Sequence, residues 1–509
     1  MILFALLKQK LAASFHKFML TKTNFMHFVE CPVYLWLSKH RPDLLPEATP
    51  ETRRILEMGR EVDLLSRRLF PGGVEVGGFN AEGWKNTKKL MAGSAKILFQ
   101  PTAVASPLTC RADIFTRNNK IGGWDMHEVK MATEVKDEYY WDVAFQKICF
   151  EDAGVPIGRA NLIHINNKYV RRGEIDEKKL FISEDITDEV CAKILEVRAA
   201  IKEALRIMNQ RSSPDAALLA SCPRPKYCEY LEYYCRGIKN VHSVARELPA
   251  KFLLTLLERK FMDASRLLPE VLEKTGYKPE ADFVKIDAPA IRRELGALEY
   301  PLYFFDYETY SAAIPSFDGT RPYQQIPFQY SLLVKDAPGA KIRAFEFLAR
   351  EFKNPAPELL AQLKREIGTR GSIIAWNARF EKGRNDEMAR MMPEYAGFLK
   401  SINARIYDLM LIFKFKNQWY VRSEFQKSAS LKKVLPVLCP ELSYESLVIK
   451  EGGAAAAGWP VLTGTGITAK EKARLSADML AYCKRDTEAM VGILERVVRE
   501  TKMKIVEII

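Results

Sequence analysis

The stretch Phe304-Phe305-Asp306-Tyr307-Glu308-Thr309 places two acids two residues apart in an otherwise apolar and aromatic segment. This pattern predicts a short strand at 303–307. Because side chains alternate along a strand, Asp306 and Glu308 should face the same side. Acids are costly to bury without compensation, so a cation held between them is the economical explanation. A salt-bridged strand end is the alternative.

The segments that follow predict an α/β domain. Further strands are expected at 328–334 and 341–347, and a buried one at 373–376. Helices alternate after that strand, and the last covers 469–498. The low-complexity stretch 452–458 predicts a loop or a surface insertion.

Two later segments carry acids in comparable positions. Residues 373–381 lead from a buried strand into a helix start and end at Glu381. On the last helix, Tyr482 and Asp486 are four residues apart and should share a face.

Together, the three segments resemble the DnaQ-like, or DEDD, exonucleases of the RNase H-like fold, whose motifs are D-x-E, N-x-x-F-D and Y-x-x-x-D. The resemblance implies that two cations are held by Asp306, Glu308, Glu381 and Asp486, and that Tyr482 positions the attacking water. Glu381 stands where that family has aspartate, which leaves open reduced activity or an altered cation preference.

Two neighbouring acids were weighed as well. Asp386 is a poor substitute for Glu381, because five helical residues rotate it by about 140°. Asp408 is a candidate for a supporting acid near the same site.

A second α/β pattern occupies the first half of the chain. Two β-rich runs, 112–116 and 124–129, flank a turn at 118–123 and predict a hairpin. An amphipathic helix at 136–152 and a strand at 160–165 should follow. Ahead of them, an N-cap signal at 21–25 and helical spacing at 51–70 predict two helices.

The triplet Glu128-Val129-Lys130 follows Asp113 by the length of a hairpin. Alternation puts Glu128 and Lys130 on one face and turns Val129 into the core. Phosphodiester hydrolysis needs divalent cations, and carboxylate oxygens are the hard ligands that hold Mg²⁺ or Mn²⁺. A charged strand edge that guards against aggregation is the alternative.

Residues 110–150 resemble the PD-(D/E)xK nuclease superfamily, specifically its RecB-like branch. This resemblance implies metal binding at Asp113, Glu128 and Val129 and a catalytic Lys130. Gln146 matches the Q-x-x-x-Y element, with Phe150 in place of its tyrosine. Gly59 and Asp63 are similar to the early G-x-x-x-H element, with an acid in place of the imidazole.

The nine cysteines are odd in number and dispersed, which disfavours a disulfide framework. Cys222, Cys228 and Cys235 are separated by gaps wider than structural zinc sites usually show, and buried thiols are the alternative. CRISPR-associated members of the RecB-like branch, like the AddB helicase-nuclease subunit, bind a 4Fe-4S cluster through one upstream and three downstream cysteines. By that resemblance, Cys31 is the upstream ligand. The other five were expected to be core or surface thiols.

Length and charge favour a multidomain protein with an acidic partner, of which nucleic acid is the commonest, but charge says nothing about catalysis. A chain of 509 residues predicts two or three domains, and a net charge of +13 favours an acidic partner. The domains are expected at 21–239, for the RecB-like nuclease, and at 299–500, for the RNase H-like exonuclease, with a helical connector at 240–298. No secretory signal or membrane span is expected, which favours a cytoplasmic protein without a membrane partner.

Aromatic residues accompany the cations at 139–141, 227–234 and 419–420, as in proteins that bind single strands by base stacking. Packing of most of these rings in the core is the alternative. The segment Ser430-Leu431-Lys432-Lys433 resembles a helix start near the substrate groove of DEDD relatives. An anionic backbone would be favoured there.

The expected function is therefore hydrolysis of DNA, at single-stranded ends, by two Mg²⁺- or Mn²⁺-dependent sites. RecB-like iron-sulfur relatives often attack 5′ ends and DEDD relatives digest from 3′ ends, so one chain could trim both polarities. The resemblance covers roughly residues 21–500 and extends to a group of bacterial proteins with both domains. Two alternatives remain open: an RNA exonuclease that uses the DEDD site alone, and a nucleic-acid-binding adaptor with degenerate sites.

Overall fold

A computed structural model describes residues 19–45, 47–214, 283–425 and 428–503. The chain divides into two units. The first comprises 1–47, 58–169 and 175–278, and the second comprises 48–57, 170–174 and 279–509. Most of the predicted connector at 240–298 lies outside the described residues, and its last part belongs to the second unit.

The strands of the first unit are β1 (Leu20–Thr21), β2 (Val74–Glu75), β3 (Ile97–Phe99), β4 (Thr102–Ala105), β5 (Leu108–Arg111), β6 (Ile114–Asn118), β7 (Gly123–Lys130), β8 (Ile157–Ile165) and β9 (Phe181–Asp185). Its helices are α1 (Lys22–Glu30), α2 (Pro32–His40), α3 (Pro50–Ser66), α4 (Asn80–Ala92), α5 (Asp137–Asp152), α6 (Glu177–Leu180) and α7 (Thr187–Asn209). Helix α3 begins in the second unit and continues from Met58 in the first.

Six of these strands form a mixed sheet in the order β2-β3-β6-β7-β8-β9, and β1-β5-β4 form a smaller sheet. The predicted hairpin is confirmed as the antiparallel pair β6 and β7. Gly122, in the turn between them, adopts a φ of +63°, which glycine reaches without steric cost. Strand β8 then runs parallel to β7 after the crossover through α5.

Helix α5 is confirmed, but its predicted amphipathic character is wrong. All nine residues from Asp142 to Phe150 are buried, including the polar Asp142, Gln146 and Lys147. Phe145 and Ile148 belong to the core of the unit. Polar groups inside such a helix need partners, so their contacts point to a site.

The strands of the second unit are β10 (Val284–Ile286), β11 (Leu302–Tyr310), β12 (Ile326–Lys335), β13 (Arg343–Leu348), β14 (Ile373–Ala375), β15 (Ile406–Asp408) and β16 (Tyr420–Arg422). Its helices are α8 (Ala288–Leu295), α9 (Ala356–Glu366), α10 (Ala378–Met391), α11 (Ala396–Arg405), α12 (Leu431–Leu438), α13 (Gly452–Thr463) and α14 (Ala469–Glu500). The four strands and the long final helix predicted from the sequence are thus confirmed.

Strand β11 lies in the middle of a five-stranded sheet with the order β13-β12-β11-β14-β15. It pairs antiparallel with β12 and parallel with β14. On one face of the sheet, Phe305 and Tyr307 pack in a core with residues of α9, α10 and α11. Helices α13 and α14 contact β11 as well.

The stretch 452–458, predicted as a loop, forms the first half of helix α13. Alanine has the highest helix propensity, and four alanines in succession favour this conformation. Trp459 fixes the helix to the core: it is fully buried, and its indole N–H donates to the carbonyl of Ala349 at 2.9 Å. The prediction of a loop was wrong because a run of small residues also allows a helix to pack close to a sheet.

None of the helices within the described ranges has both the length and the apolar composition needed to cross a bilayer.

Candidate functional site

The second unit gathers acids from β11 and α14. Ligand atoms of Asp306, Glu308 and Cys483 lie within 4.8 Å of one another. The predicted common orientation of Asp306 and Glu308 is therefore confirmed. Cys483 was expected to be an ordinary thiol, but its Sγ lies 3.8 Å from Asp306 Oδ2. Tertiary packing brings it there, and no local spacing signals it.

Two buried hydrogen bonds fix α14 on the sheet. Gln329 Nε2 donates to the carbonyl of Met479 at 2.9 Å, and the hydroxyls of Ser331 and Thr487 lie 2.8 Å apart. In the sheet register, Ser331 is opposite Asp306 and Gln329 is opposite Glu308. These contacts therefore set the level of α14 next to the two acids.

Glu381 enters from the sharp junction between β14 and α10. Asn377 at that junction has a φ of +70°, in the left-handed region, and its N–H donates to Asp408 Oδ1 at 3.0 Å. Glu381 is buried, and its Oε2 has no hydrogen-bond partner among the described residues. The negative charge of Glu381 raises the pKa of Asp306 and Glu308. Asp386, in contrast, is exposed and accepts from Asn403 Nδ2.

Asp486 and Tyr482 bring α14 into the same site. Asp486 raises the pKa of Asp306 and Glu308 by charge repulsion. A tyrosine that the sequence analysis missed, Tyr444, donates its hydroxyl to Asp486 Oδ1, and its ring centroid lies 6.0 Å from that of Tyr482. We call Asp306, Glu308, Glu381 and Asp486 the second-unit acid cluster.

Helix α13 begins beside this cluster. A Cβ placed on Gly452 would lie 3.5 Å from Glu308 Oε2 and 3.9 Å from the Tyr482 hydroxyl. The helix that was predicted as a surface insertion therefore forms one wall of the site.

Burial and repulsion between neighbouring acids raise the pKa values in this cluster, and one exposed lysine opposes part of the effect. Burial, followed by repulsion from Asp486, raises the pKa of Asp306 and of Glu308 well above the usual range. Burial also raises the pKa of Glu381 to about 8 and that of Asp486 to about 6. The exposed Lys432, near the start of α12, lowers the pKa of Glu308 and Asp486 through its charge.

A different arrangement holds the acids of the first unit. Ile114 pairs with His127, so that Asp113, just before β6, lies at the level of Glu128. Glu128 Oε1 accepts from Lys130 Nζ at 2.8 Å, which confirms their predicted common face. Val129 is partly buried and is not a core residue, contrary to expectation, whereas Glu128 is 1% exposed.

Buried amides and main-chain groups complete this network. Val129 N–H donates to Asp113 Oδ2 at 2.9 Å, and Gln146 Nε2 donates to Glu128 Oε2 at 2.8 Å. Gln146 also donates to Asp142 Oδ1, and Lys130 donates to Asp142 Oδ2. We call Lys22, Asp113, Glu128, Lys130, Asp142 and Gln146 the first-unit network. The sequence analysis missed Lys22 and Asp142.

Charges in the first-unit network are largely balanced. Burial raises the pKa of Glu128, but the charges of Lys130 and Lys22 outweigh it, and the pKa lies below its usual range. Burial, and then repulsion from Glu128, raises the pKa of Asp113 to about 7.

The two imperfect motif matches lie close to this network. Asp63 accepts from Arg67 at 2.8 Å, and its charge acts on Asp113. The ring of Phe150 is fully buried, 4.6 Å from that of Phe115. The ring of Phe150 therefore fills a core position even though it lacks the hydroxyl of the tyrosine in the Q-x-x-x-Y element.

The iron-sulfur prediction falls largely outside the described residues. Cys222, Cys228 and Cys235 lie there, as do the aromatics at 227–234, and Cys31 is partly buried at the start of α2. Among the remaining cysteines, Cys191 is exposed and the others are buried, as expected. Tyr420, which was considered for base stacking, is a core residue between Phe413 and Phe425 and is 0% exposed.

Comparison with known proteins connects the central part of the second unit to a family. A model described as "Domain of unknown function (DUF2779)" matches residues 303–430. The match includes Asp306, Glu308 and Glu381 and ends before Tyr482 and Asp486.

Similar proteins occur in mollicute bacteria. An uncharacterised protein of Ureaplasma parvum is 28% identical over 222 residues, which are 40% of this chain and 32% of the relative. Uncharacterised proteins of Mycoplasma pneumoniae and Mycoplasma genitalium are each 26% identical, over 209 and 210 residues, covering 37% and 38% of this chain. In both cases the match spans 31% of the relative's length, so the chain corresponds to about a third of each of these proteins.

Proposed function

We propose that the protein is a metal-dependent nuclease that hydrolyses phosphodiester bonds of DNA, with the second-unit acid cluster as its principal site. The observation that carries the proposal is the cluster of Asp306 and Glu308 on β11 with Cys483 on α14, whose ligand atoms lie within 4.8 Å of one another. The negative charges of Asp486 and Glu381 also raise the pKa of both acids. Among the described residues, none of these four acids forms an ion pair with a lysine or an arginine. Glu308 and Glu381 are buried, and Asp306 and Asp486 are partly buried. Acids at low exposure without an ion pair are characteristic of cation sites.

The donor set fits hard divalent cations. Asp306, Glu308, Glu381 and Asp486 would hold Mg²⁺ or Mn²⁺, which prefer carboxylate oxygens. Such ions neutralise charge on a scissile phosphate and lower the pKa of an attacking water. Glu381 Oε2, buried and without a partner among the described residues, offers one oxygen for this purpose.

The chain's own residues supply orientation and attraction. Tyr482, on the same helix as Asp486 and near Glu308 and Asp306, is suited to orient a water or a phosphate oxygen. The positive charge of Lys432 lowers the pKa of Glu308 and Asp486. Because Lys432 is exposed, it is also suited to contact the phosphates of a nucleic-acid backbone. The net charge of +13 favours such a substrate over the whole chain.

The architecture supports the same proposal. A mixed five-stranded sheet with the D-x-E strand in the middle is compatible with an RNase H-like core. In the first unit, the β6–β7 hairpin followed by α5 and the parallel β8 is compatible with a PD-(D/E)xK core. We include in the proposal a second, RecB-like site at the first-unit network and a 4Fe-4S cluster at Cys31, Cys222, Cys228 and Cys235.

The test is digestion of single-stranded DNA and of RNA of the same sequence, labelled at the 5′ or the 3′ end. We expect nucleotide release from DNA with Mg²⁺ or Mn²⁺ and none in the presence of EDTA. Hydrolysis of RNA alone would contradict the DNA proposal and favour an RNA exonuclease. If neither polymer is cut and calorimetry detects no cation binding, the protein is an adaptor.

Cation affinity should depend on pH. We expect the affinity of the second-unit acid cluster for Mn²⁺ to rise as the pH increases from about 6 to about 8. The pKa of Asp486 is raised to about 6 and that of Glu381 to about 8, so a cation must displace protons below those values. Calorimetric titration in two buffers of different ionisation enthalpy measures both the affinity and the protons released.

The raised pKa values of Asp486 and Glu381 also determine whether the stability of the fold rises or falls with pH. Carboxyl groups with raised folded-state pKa values stabilise the fold at low pH, and that stability is lost as the pH rises through those values. Cation-free protein should therefore melt at lower temperature near pH 8 than near pH 6, and added Mn²⁺ should reverse the loss. An affinity and a melting temperature independent of pH would contradict both expectations.

A further inference from the structure

The first helix of the first unit carries a lysine into the first-unit network. Thr21 caps α1 by accepting from the N–H of Asn24 at 3.1 Å, which makes Lys22 the first helical residue. On the other side of Lys22, β1 pairs with β5 through Leu20 and Thr21. The backbone at Lys22 is thus fixed from both directions, and its side chain is only 24% exposed.

The ammonium of Lys22 lies between two carboxylates. Its Nζ is 2.9 Å from Glu128 Oε1 and 3.7 Å from Asp142 Oδ1. Lys130 Nζ binds the same Glu128 oxygen and also pairs with Asp142. Two ammonium groups therefore share one pair of buried acids.

Each of the four carboxylate oxygens of Glu128 and Asp142 accepts at least one hydrogen bond. Glu128 Oε1 accepts from both lysines, and Oε2 accepts from Gln146. Asp142 Oδ1 accepts from Gln146, and Oδ2 accepts from Lys130. A divalent cation at Glu128 would therefore meet the positive charge of two ammonium groups at the same carboxylate.

The second-unit acid cluster shows the opposite condition. Glu381 Oε2 has no partner among the described residues, and the pKa values of Asp306 and Glu308 are raised by burial and by repulsion from Asp486. Among the described residues, the two carboxylate sites thus differ in whether lysines form direct ion pairs with the acids.

We propose that the Lys22 ammonium, held between Glu128 and Asp142, already supplies positive charge at Glu128 and thereby opposes divalent metal binding at the first-unit network. This inference rests on the proposed function, since it describes how one of the two proposed sites is regulated. Lys130 belongs to the E-V-K triplet of the proposed site, whereas Lys22 comes from α1 and adds a second positive charge to the same acids. The Lys22 ammonium and a divalent cation at the same carboxylates would repel each other, and this repulsion is strong where solvent exposure is low.

The experiment measures Mn²⁺ binding rather than activity. It uses the full chain with Asp306→Asn and Asp486→Asn, which disable the second-unit acid cluster. Adding Lys22→Met to this background should increase Mn²⁺ affinity by at least about tenfold and add one bound ion per chain, because the competing charge is gone. Electron paramagnetic resonance of free Mn²⁺, together with calorimetry, gives both numbers.

Three further variants make the result specific. Lys22→Arg keeps the charge and should leave Mn²⁺ excluded, whereas Lys22→Gln should behave like Lys22→Met and replaces it should the methionine variant misfold. Lys85→Met, at an exposed position of α4, is the matched control and should change nothing. Unchanged or weaker Mn²⁺ binding in folded Lys22→Met or Lys22→Gln chains would overturn the inference.

Failure of this inference is distinguishable from failure of the proposed function. The proposed function fails when the unaltered chain shows no cation-dependent hydrolysis. The role of Lys22 fails when removing its charge does not open the first-unit network to Mn²⁺, whatever the hydrolysis assay shows.

Discussion

Replacement of Asp486 by asparagine is expected to lower the rate of DNA hydrolysis by about a thousandfold or more. Asparagine keeps the shape of the side chain and its hydrogen bond with Tyr444 but removes the negative charge. Asp486 belongs to the acids that repel one another in the second-unit acid cluster, and its charge raises the pKa of both Asp306 and Glu308. The loss of one carboxylate ligand should therefore weaken cation binding and hydrolysis together.

The matched control is Asp386→Asn on α10. Asp386 is exposed and accepts from Asn403, and it lies on the same helix as Glu381. Its neutralisation should change the rate by less than about twofold, since surface substitutions have small effects. Kinetics of both variants at saturating Mn²⁺, with circular dichroism to verify folding, make the comparison. Equal rates for Asp486→Asn and the unaltered chain would remove the second-unit acid cluster from the proposed function.

Local periodicity was sufficient to predict the framework of the second unit. Asp306 and Glu308 share a face because β11 is an ordinary strand, and Tyr482 and Asp486 share a face because α14 is an ordinary helix. Both inferences need only the repeat of one element. Such elements are predictable wherever the hydrophobic pattern is long and uninterrupted.

Partners from distant segments were not predictable in the same way. Cys483 and Tyr444 reach the acids only because α14 is fixed to β12 and because the segment after α12 returns to Asp486. Neither position has a sequence signal of its own. Tyr444 begins a short 3-10 helix, Tyr444–Ser446, whose sequence does not indicate what it will contact.

The first unit shows a different limit. The hairpin spacing correctly brought Asp113 to Glu128, but the pattern of α5 suggested a helix with one exposed face. Because that helix is buried on every side, Asp142 and Gln146 point into the protein and need polar partners. Amphipathicity alone could not reveal this, and the N-cap signal that placed α1 did not indicate where Lys22 would point.

Helix α13 depends on one large side chain for its place beside the second-unit acid cluster. Trp459 is fully buried and stacks on Phe328 with ring centroids 5.1 Å apart. Its ring also lies 5.3 Å from Tyr310, the last residue of β11, and 5.2 Å from Phe352. Of the two large buried side chains of α13, Trp459 and Leu462, the tryptophan is the larger and makes these ring contacts, so we expect it to contribute most to the anchoring of the helix.

Trp459→Ala is therefore expected to lower the free energy of unfolding by about 3–5 kcal/mol, the usual cost of removing a large aromatic side chain from a core. The loss also leaves the carbonyl of Ala349 without its indole donor. Val461→Ala, on the same helix at a position that is 48% exposed, is the matched control and should cost less than about 1 kcal/mol. Urea unfolding of both variants measures the difference.

Because Gly452 at the start of α13 lies against Glu308, the folded fraction of Trp459→Ala should also bind Mn²⁺ more weakly than the control. Equal stabilities of the two variants would show that α13 is held in place without its tryptophan.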